Sequence, residues 1–344
     1  IVLRQILFVA ISIPLAGYLS KLPLARWELA GRLGLVISIG LLAVLLIPGV
    51  GKTVNGNTNW IDLKVIDVQP SEFAKFFMIL WAACLLARKE KSGQFNANIF
   101  KLIGPGFLVI MALVMYGHDL GTASVLAAIL AGLLFVSGIQ LRLFGALTAV
   151  GMAALSFFIV TSGYRSQRFL VFLDPFSPAQ YKNAGWQPAH SLLALGSGGF
   201  FGSGLGSSKQ KWGNLAEAHT DFIFSVIGEE LGLLGTISII IALALLVYLI
   251  IKISLMAPDT FSRYLGLGIA FWIGLQSLFN LLSATSLIPV VGVTLPLISY
   301  GGSSLVAVVG ALGFVAGIAL RNPEISEELN TRWPLQPRRI KSRV

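Results

Sequence analysis

The stretch EAHTDFIFSVIGEELG, residues 217–232, sets one His, one Asp and three Glu at the mouth of a long apolar run. Ionisable groups inside such a run are costly and are kept for function or for pairing. Asp221 stands where the run begins. Thr220 or Asp221 there would also serve as a helix N-cap, and the helix dipole favours an acid at that end. Capping leaves His219, Glu229 and Glu230 unexplained. Glu229 lies about 12 Å further along a helix axis at a rise of ~1.5 Å per residue. Asp221 and Glu229 therefore do not form a proton-sharing pair, unless the helix breaks at Gly228. Glu230 faces nearly opposite to Asp221. Asp221 is the candidate acid/base, His219 a candidate binding group beside it, and Glu229 and Glu230 are expected to anchor this helix to another one.

Further polar groups interrupt other apolar runs. In QPSEFAKFF (69–77), Pro70 marks a helix start and Ser71 can cap it. Glu72 and Lys75 share one face, either as an ion pair at a membrane interface or as a carboxylate and ammonium lining a cavity, where the Lys would suit a diphosphate. In GHDLGT (117–122), His118 and Asp119 occupy a tight turn, and Asp119 either caps the next helix or binds. Arg165 and Arg168 in YRSQRFLVFLDP are interfacial anchors or hold an anionic headgroup. Ser303 and Ser304 of SYGGSS are helix caps or binding hydroxyls. No Cys/His cluster marks a metal site. The metal question stays open, with a divalent cation (Mg or Mn) at a carboxylate as one option.

Positioning these groups falls to membrane helices. The 344 residues are 56% hydrophobic and 12% charged, with a mean hydropathy of +0.83; soluble domains carry about a quarter charged residues. The fold class read from this is an all-α polytopic membrane protein. Apolar runs predict nine spans, near 2–20, 33–48, 70–87, 100–116, 119–138, 142–161, 219–251, 264–285 and 302–320. The net charge of +10 comes from short basic clusters between runs, which is topology rather than a nucleic-acid face, so no nucleic-acid partner is expected. Lys and Arg concentrate in alternate connections and in the tail, which makes that side cytoplasmic. Nine spans then leave the N-terminus outside, and a preceding span is expected to be absent from this chain. Cys84, the one cysteine, lies in an apolar run and reads as an inert packed thiol.

The organisation expected is one transmembrane domain over 1–320 and a basic, disordered tail over 321–344. Loop 49–69 is polar, with a turn signal at Asn55-Gly56-Asn57. Loop 162–218 is long, rich in Gly and Ser, and includes an amphipathic candidate, Pro188–Leu195, for the membrane surface. Loop 286–301 is uncharged, and its Pro289 and Pro296 preclude a simple helix; it either dips into the bilayer or lines a cavity.

Several strings, in order, resemble the SEDS family (shape, elongation, division and sporulation), which includes FtsW and RodA: NGNTNWIDL…QPSEFAK (55–75), DLGT (119–122), YRSQR…FLDP (164–175), GWQ…SLLALGSGGFFGSGLG (185–206), EAHTDFIFSVIGEELG (217–232) and PVVGVTLPLISYGGSS (289–304). LGSSKQKWGNLAEAHTDFIF is closer to FtsW than to RodA. The resemblance implies ten spans, the first absent here. It also implies polymerisation of peptidoglycan strands from lipid II at the outer face of the bacterial cytoplasmic membrane, at the division septum for an FtsW-like chain. It carries the essential Asp of HTDF onto Asp221, QPxExxK onto Glu72 and Lys75, the Asp of PDLGT onto Asp119, and the SYGGSS serines onto Ser303 and Ser304. Implied partners are lipid II, a polyprenyl-diphosphate-linked glycan, a class B penicillin-binding protein and other divisome membrane proteins. The chain departs from the family pattern at Asn59, Gly117-His118, His190 and Ser286. A lipid II flippase or a RodA-type elongation polymerase is the alternative reading, and a non-catalytic scaffold the third.

Overall fold

A computed structural model describes residues 2–47, 49–54, 57–64, 66–93, 99–160, 171–178, 180–323, 325 and 327. Arg165, Arg168 and the tail beyond residue 327 lie outside these. The principal helices are α1 (Val2–Ser20), α2 (Leu24–Ala43), α3 (Pro70–Lys91), α4 (Ile99–Tyr116), α5 (Leu120–Val136), α6 (Leu141–Val160), α7 (Trp186–Ser197), α8 (Ile223–Leu255), α9 (Thr260–Ala284) and α10 (Gly302–Arg321). Seven of them are long and apolar enough to cross a membrane; α5 and the Leu141–Ala154 part of α6 are apolar but shorter.

The centre of the bundle is α3, α5, α9 and α10, whose Ile79, Leu126, Ile269, Trp272 and Val308 are fully enclosed. α2 lies along α3, and α1 along α10. Small residues permit this approach, as is usual between membrane helices. A Cβ at Gly31 would stand 2.9 Å from the Leu80 carbonyl oxygen, and one at Gly34 would collide with that of Phe77. α1 and α8 expose most of their apolar surface.

Several expectations need correction. α2 starts at Leu24 rather than near residue 33, because Pro23 sets its start and the long side chains of Arg26 and Arg32 can reach water from the first turns. The all-α reading lacks a small antiparallel sheet in loop 49–69: β1 (Gly51–Val54), β2 (Asn57–Asp62) and β3 (Asp67–Val68), in that order. Val54 pairs with Asn57, and Asn55 and Gly56 of the turn signal lie outside the described residues. The amphipathic segment is a helix, α7, and it packs on α8. Its Ser191 hydroxyl donates to the Ala284 carbonyl at 2.6 Å and meets the Ser225 hydroxyl at 2.6 Å. α8 begins at Ile223, not 219, and its break falls at Gly232 (φ 67°, ψ −162°), not at Gly228.

Candidate functional site

The loops 49–69, 117–119, 198–222 and 286–301 are stitched together at one end of the bundle. The Thr58 N–H donates to the Gly117 carbonyl, and the Tyr300 N–H to the His219 carbonyl at 2.8 Å. The opposite end holds basic groups, with Arg263 donating to Glu90 at 2.6 Å and Arg321 to the Leu22 carbonyl.

Asp221 lies in this loop-bearing end, two residues before α8. It does not cap α8; the cap position is Phe222, without a side-chain bond. Glu217 adopts φ 56°, and the Thr220 hydroxyl turns back to the Glu217 carboxylate at 2.7 Å. The chain is thus still turning at residue 221, which is why a helix-start reading fails there. The Asp221 backbone is fixed by Asn280, whose Nδ2 donates to the Asp221 carbonyl at 2.8 Å and to the Val293 carbonyl at 2.7 Å. Ser299 donates to the Thr220 carbonyl at 2.6 Å. The Asp221 side chain is half-buried, and His219 is exposed with its ring against Tyr300, centroids 5.6 Å apart. A Cβ placed on Gly292 would stand 3.6 Å from Asp221 Oδ2, so the carboxylate faces the 291–293 backbone.

That backbone forms a wall. Gly121 also packs against it, where a Cβ would meet Val293 Cγ1 at 3.2 Å and the Gly292 carbonyl at 3.3 Å. Two residues before Gly121 is Asp119. It caps α5, accepting from the Thr122 N–H at 2.9 Å and the Thr122 hydroxyl at 2.8 Å. Asn59 Nδ2 and Gln69 Nε2 also donate to Asp119. Asp119 lines a cavity of about 460 Å³ with Leu42, Leu45, Asn59, Ser71, Leu113 and His118 among its walls. Asn59 Oδ1 and the Ser71 hydroxyl are buried there without a protein partner among the described residues. Ser71 does not cap α3, whose cap position is Gln69 with Pro70 following.

Glu72 and Lys75 do not face a cavity. They are 5% and 1% exposed. The Lys75 ammonium donates to Glu72 at 2.8 Å and to Gln276 Oε1 at 2.7 Å, and stands 5.3 Å from the Trp272 ring centre. The expectation of an ammonium open to a diphosphate gives way to an internal pair, because Gln276 reaches in from α9. Gln276 also donates to the Thr294 carbonyl at 3.0 Å, which ties the pair to loop 286–301. Ser303 and Ser304 are not caps either. The Ser303 hydroxyl accepts from the Gln69 N–H at 2.9 Å, and that of Ser304 meets Thr294 at 3.2 Å.

Glu229 and Glu230 anchor a loop, not another helix. Glu229 accepts from the Lys209 N–H at 2.8 Å, the Gln210 N–H at 3.3 Å and the Ser208 hydroxyl. Glu230 accepts from the Gly206 N–H at 3.0 Å and pairs with Lys211. The Gly/Ser composition of 198–208 lets this backbone lie flat on α8, so its N–H groups reach the two carboxylates. Asn280 and Gln276 were not singled out by sequence reasoning. The signal was available, as two amides four residues apart inside an apolar span.

Asp221, His219, Asp119, Ser303 and Ser304 therefore share one end, Glu72 and Lys75 lie inside it, and Arg165 and Arg168 lie outside the described residues. Among the described residues no three of His, Cys, Asp and Glu gather as a cation cage. The oxygens of Asp119 are engaged by Thr122, Asn59 and Gln69.

A family profile described as cell cycle protein (FtsW, RodA, SpoVE) matches residues 1–323. A probable peptidoglycan glycosyltransferase FtsW of Thioalkalivibrio sp. (strain K90mix) is 39% identical over 317 residues, covering 91% of this chain and 78% of that protein. A chain from a solved peptidoglycan synthase complex, concerned with coordination of polymerization and crosslinking, superposes with a TM-score of 0.73. Its identity is 28%, over 92% of this chain and 88% of that one. The rod shape determining protein RodA of Thermus thermophilus gives 0.67 at 28% identity, over 92% and 86% of the two chains.

Proposed function

The chain belongs to the FtsW/RodA/SpoVE family of cell cycle proteins, and from that premise we propose that it is a peptidoglycan glycosyltransferase that lengthens glycan strands from lipid II. The observation that carries this reading is Asp221: a half-buried carboxylate whose backbone is pinned by Asn280, at the end of the bundle where the polar loops converge.

The reaction joins two lipid-linked sugars. The donor is the strand's terminal MurNAc, carrying a polyprenyl diphosphate, and the acceptor is the GlcNAc 4-hydroxyl of lipid II. A protonated alcohol is a weak nucleophile, so a base must take its proton as the new bond forms. Asp221 takes it. The oxygen attacks the anomeric carbon from the face opposite the diphosphate, which leaves with the bonding electron pair, and the anomeric centre inverts. The departing diphosphate gathers negative charge and needs positive charge nearby. Lys75 is engaged with Glu72 and Gln276, so this role passes to Arg165 and Arg168. A divalent ion (Mg or Mn) bound by the diphosphate itself would supply charge of the same kind. The cavity beside Asp119 is lined by polar side chains, Asn59, Ser71 and Asp119 among them, and by apolar ones, Leu42, Leu45 and Leu113 among them. That mixed lining suits a lipid-linked sugar.

We read α5 and α6 as crossing the membrane as well, which gives nine spans, with the loop-bearing end outside and the basic end cytoplasmic. The setting is the bacterial cytoplasmic membrane, at the septum. The partner is a class B penicillin-binding protein with transpeptidase activity, alongside other divisome membrane proteins. Purified protein given labelled lipid II should yield polymer, more so with the transpeptidase added, and a chelator arm tests the cation. Translocation of lipid II across vesicles without any polymer would move the assignment to the flippase alternative.

A further inference from the structure

Four large apolar side chains of the segment 199–212 are left uncovered: Phe200 (54% exposed), Phe201 (78%), Leu205 (82%) and Trp212 (79%). Clustered exposure of this kind marks an interaction surface. Each of them has a neighbouring residue tied to one short stretch of α8. The Leu233 N–H donates to the Gly199 carbonyl at 3.0 Å, and that of Leu234 to the Phe200 carbonyl at 3.3 Å. The Gly204 N–H donates to the Glu230 carbonyl at 3.0 Å, the Gly206 N–H to the Glu230 carboxylate, and Lys211, next to Trp212, pairs with the same carboxylate. Phe200, Phe201 and Leu205 therefore stand at the level of residues 230–234, and Trp212 follows a residue whose side chain reaches that level.

α8 itself gives the depth of that level. It is 33 residues long, whereas about 20 residues cross a ~30 Å hydrocarbon core. Lys252, in its last turn, marks one edge of the core. About twenty residues back from Ile251 lies Gly232, at the opposite edge. From there α8 exposes Leu233, Leu234, Ile237, Ile240 and Ile241, the surface of a span that meets lipid. The uncovered side chains of 199–212 adjoin the end of this surface. Aromatic residues favour that depth. Backbone at that depth must have its N–H groups satisfied, and here Glu229 and Glu230 accept from residues 206, 208, 209 and 210. Positive φ at Gly202, Gly204 and Gly206 permits the tight path this requires.

We propose that residues 199–212 are a lipid-interface anchor, with Phe200, Phe201 and Leu205 among the acyl chains and Trp212 among the headgroups. Its occupant is the bilayer, because the patch continues the lipid-facing surface of α8 and lies at its edge.

The test uses nitroxide labels at Phe201→Cys and Leu205→Cys in a Cys84→Ala background, with the protein alone in nanodiscs of phosphatidylcholine and phosphatidylglycerol. Leu245→Cys, on the exposed face of α8, serves as the lipid reference, and Lys52→Cys, on the hairpin, as the water reference. The oxygen-to-nickel accessibility ratio at 201 and 205 is expected several-fold above that at 52 and close to that at 245. A ratio equal to that at 52 overturns the anchor, and so does one that rises only when a partner protein is added, which would assign the patch to protein docking. On the otherwise unlabelled chain, brominated lipids should quench less of the total tryptophan fluorescence after Trp212→Phe. Unchanged fractional quenching would overturn the placement of Trp212.

Discussion

Two groups of carboxylates sit at the loop-bearing end, and they are built differently. Asp119, Glu72 and Glu229 are buried, and each meets named donors: Thr122, Asn59 and Gln69 for the first, Lys75 for the second, residues 208–210 for the third. Asp221 is half-buried, its backbone is fixed by an amide from α9, and its side chain faces a loop wall. The buried acids hold helices and loops to each other. The half-buried one is held in place through its main chain, by the Asn280 amide on the Asp221 carbonyl. Depth of burial separates the acids that hold the architecture from Asp221 among residues that look alike in the sequence.

The strongest way to break this comparison is Asp221→Asn. Loss of a general base costs about 10²–10⁴-fold in rate, so polymer yield from labelled lipid II should fall by that order while thermal stability stays near that of the parent chain. Wild-type yield would return Asp221 to the structural group. Next is Lys75→Met, which strands Glu72 in the bundle. Removing one partner of a buried pair costs about 3–5 kcal/mol, read as a drop in thermal unfolding temperature in detergent, and Glu72→Gln in the same chain should restore part of it. A fall in turnover without loss of stability would instead make Lys75 a substrate ligand.

Glu229→Gln should be smaller, about 1.5–3 kcal/mol for weakened charge-assisted bonds. Faster hydrogen exchange at residues 208–210, with the rest of the bundle unchanged, is the signature. Smallest is Glu90→Gln at the basic end. Its pair with Arg263 is about one-third exposed on both sides (31% and 36%), so about 0–1 kcal/mol is expected, within the scatter of a melting curve.

The apolar runs carried most of the architecture, since a span is a local property of some twenty residues. Asp119 as a cap was also legible, because a cap bonds to its own next turn. What was not legible depended on distant partners. The inward course of Lys75 is set by Gln276, 201 residues away. The job of Glu229 depends on a Gly/Ser loop about twenty residues earlier in the chain. The position of Asp221 outside α8 follows from the turn at Glu217 and from bonds to loop 286–301. The sheet over 51–68 escaped notice because its strands are short and polar, with little alternation to read.

The backbone at 291–293 lies close to both Asp221 and Gly121, two residues from the Asp119 that lines the cavity. Thermodynamic reciprocity then binds the two compartments. Any displacement of this partition by an occupant of one side alters affinity on the other, and by the same factor in both directions.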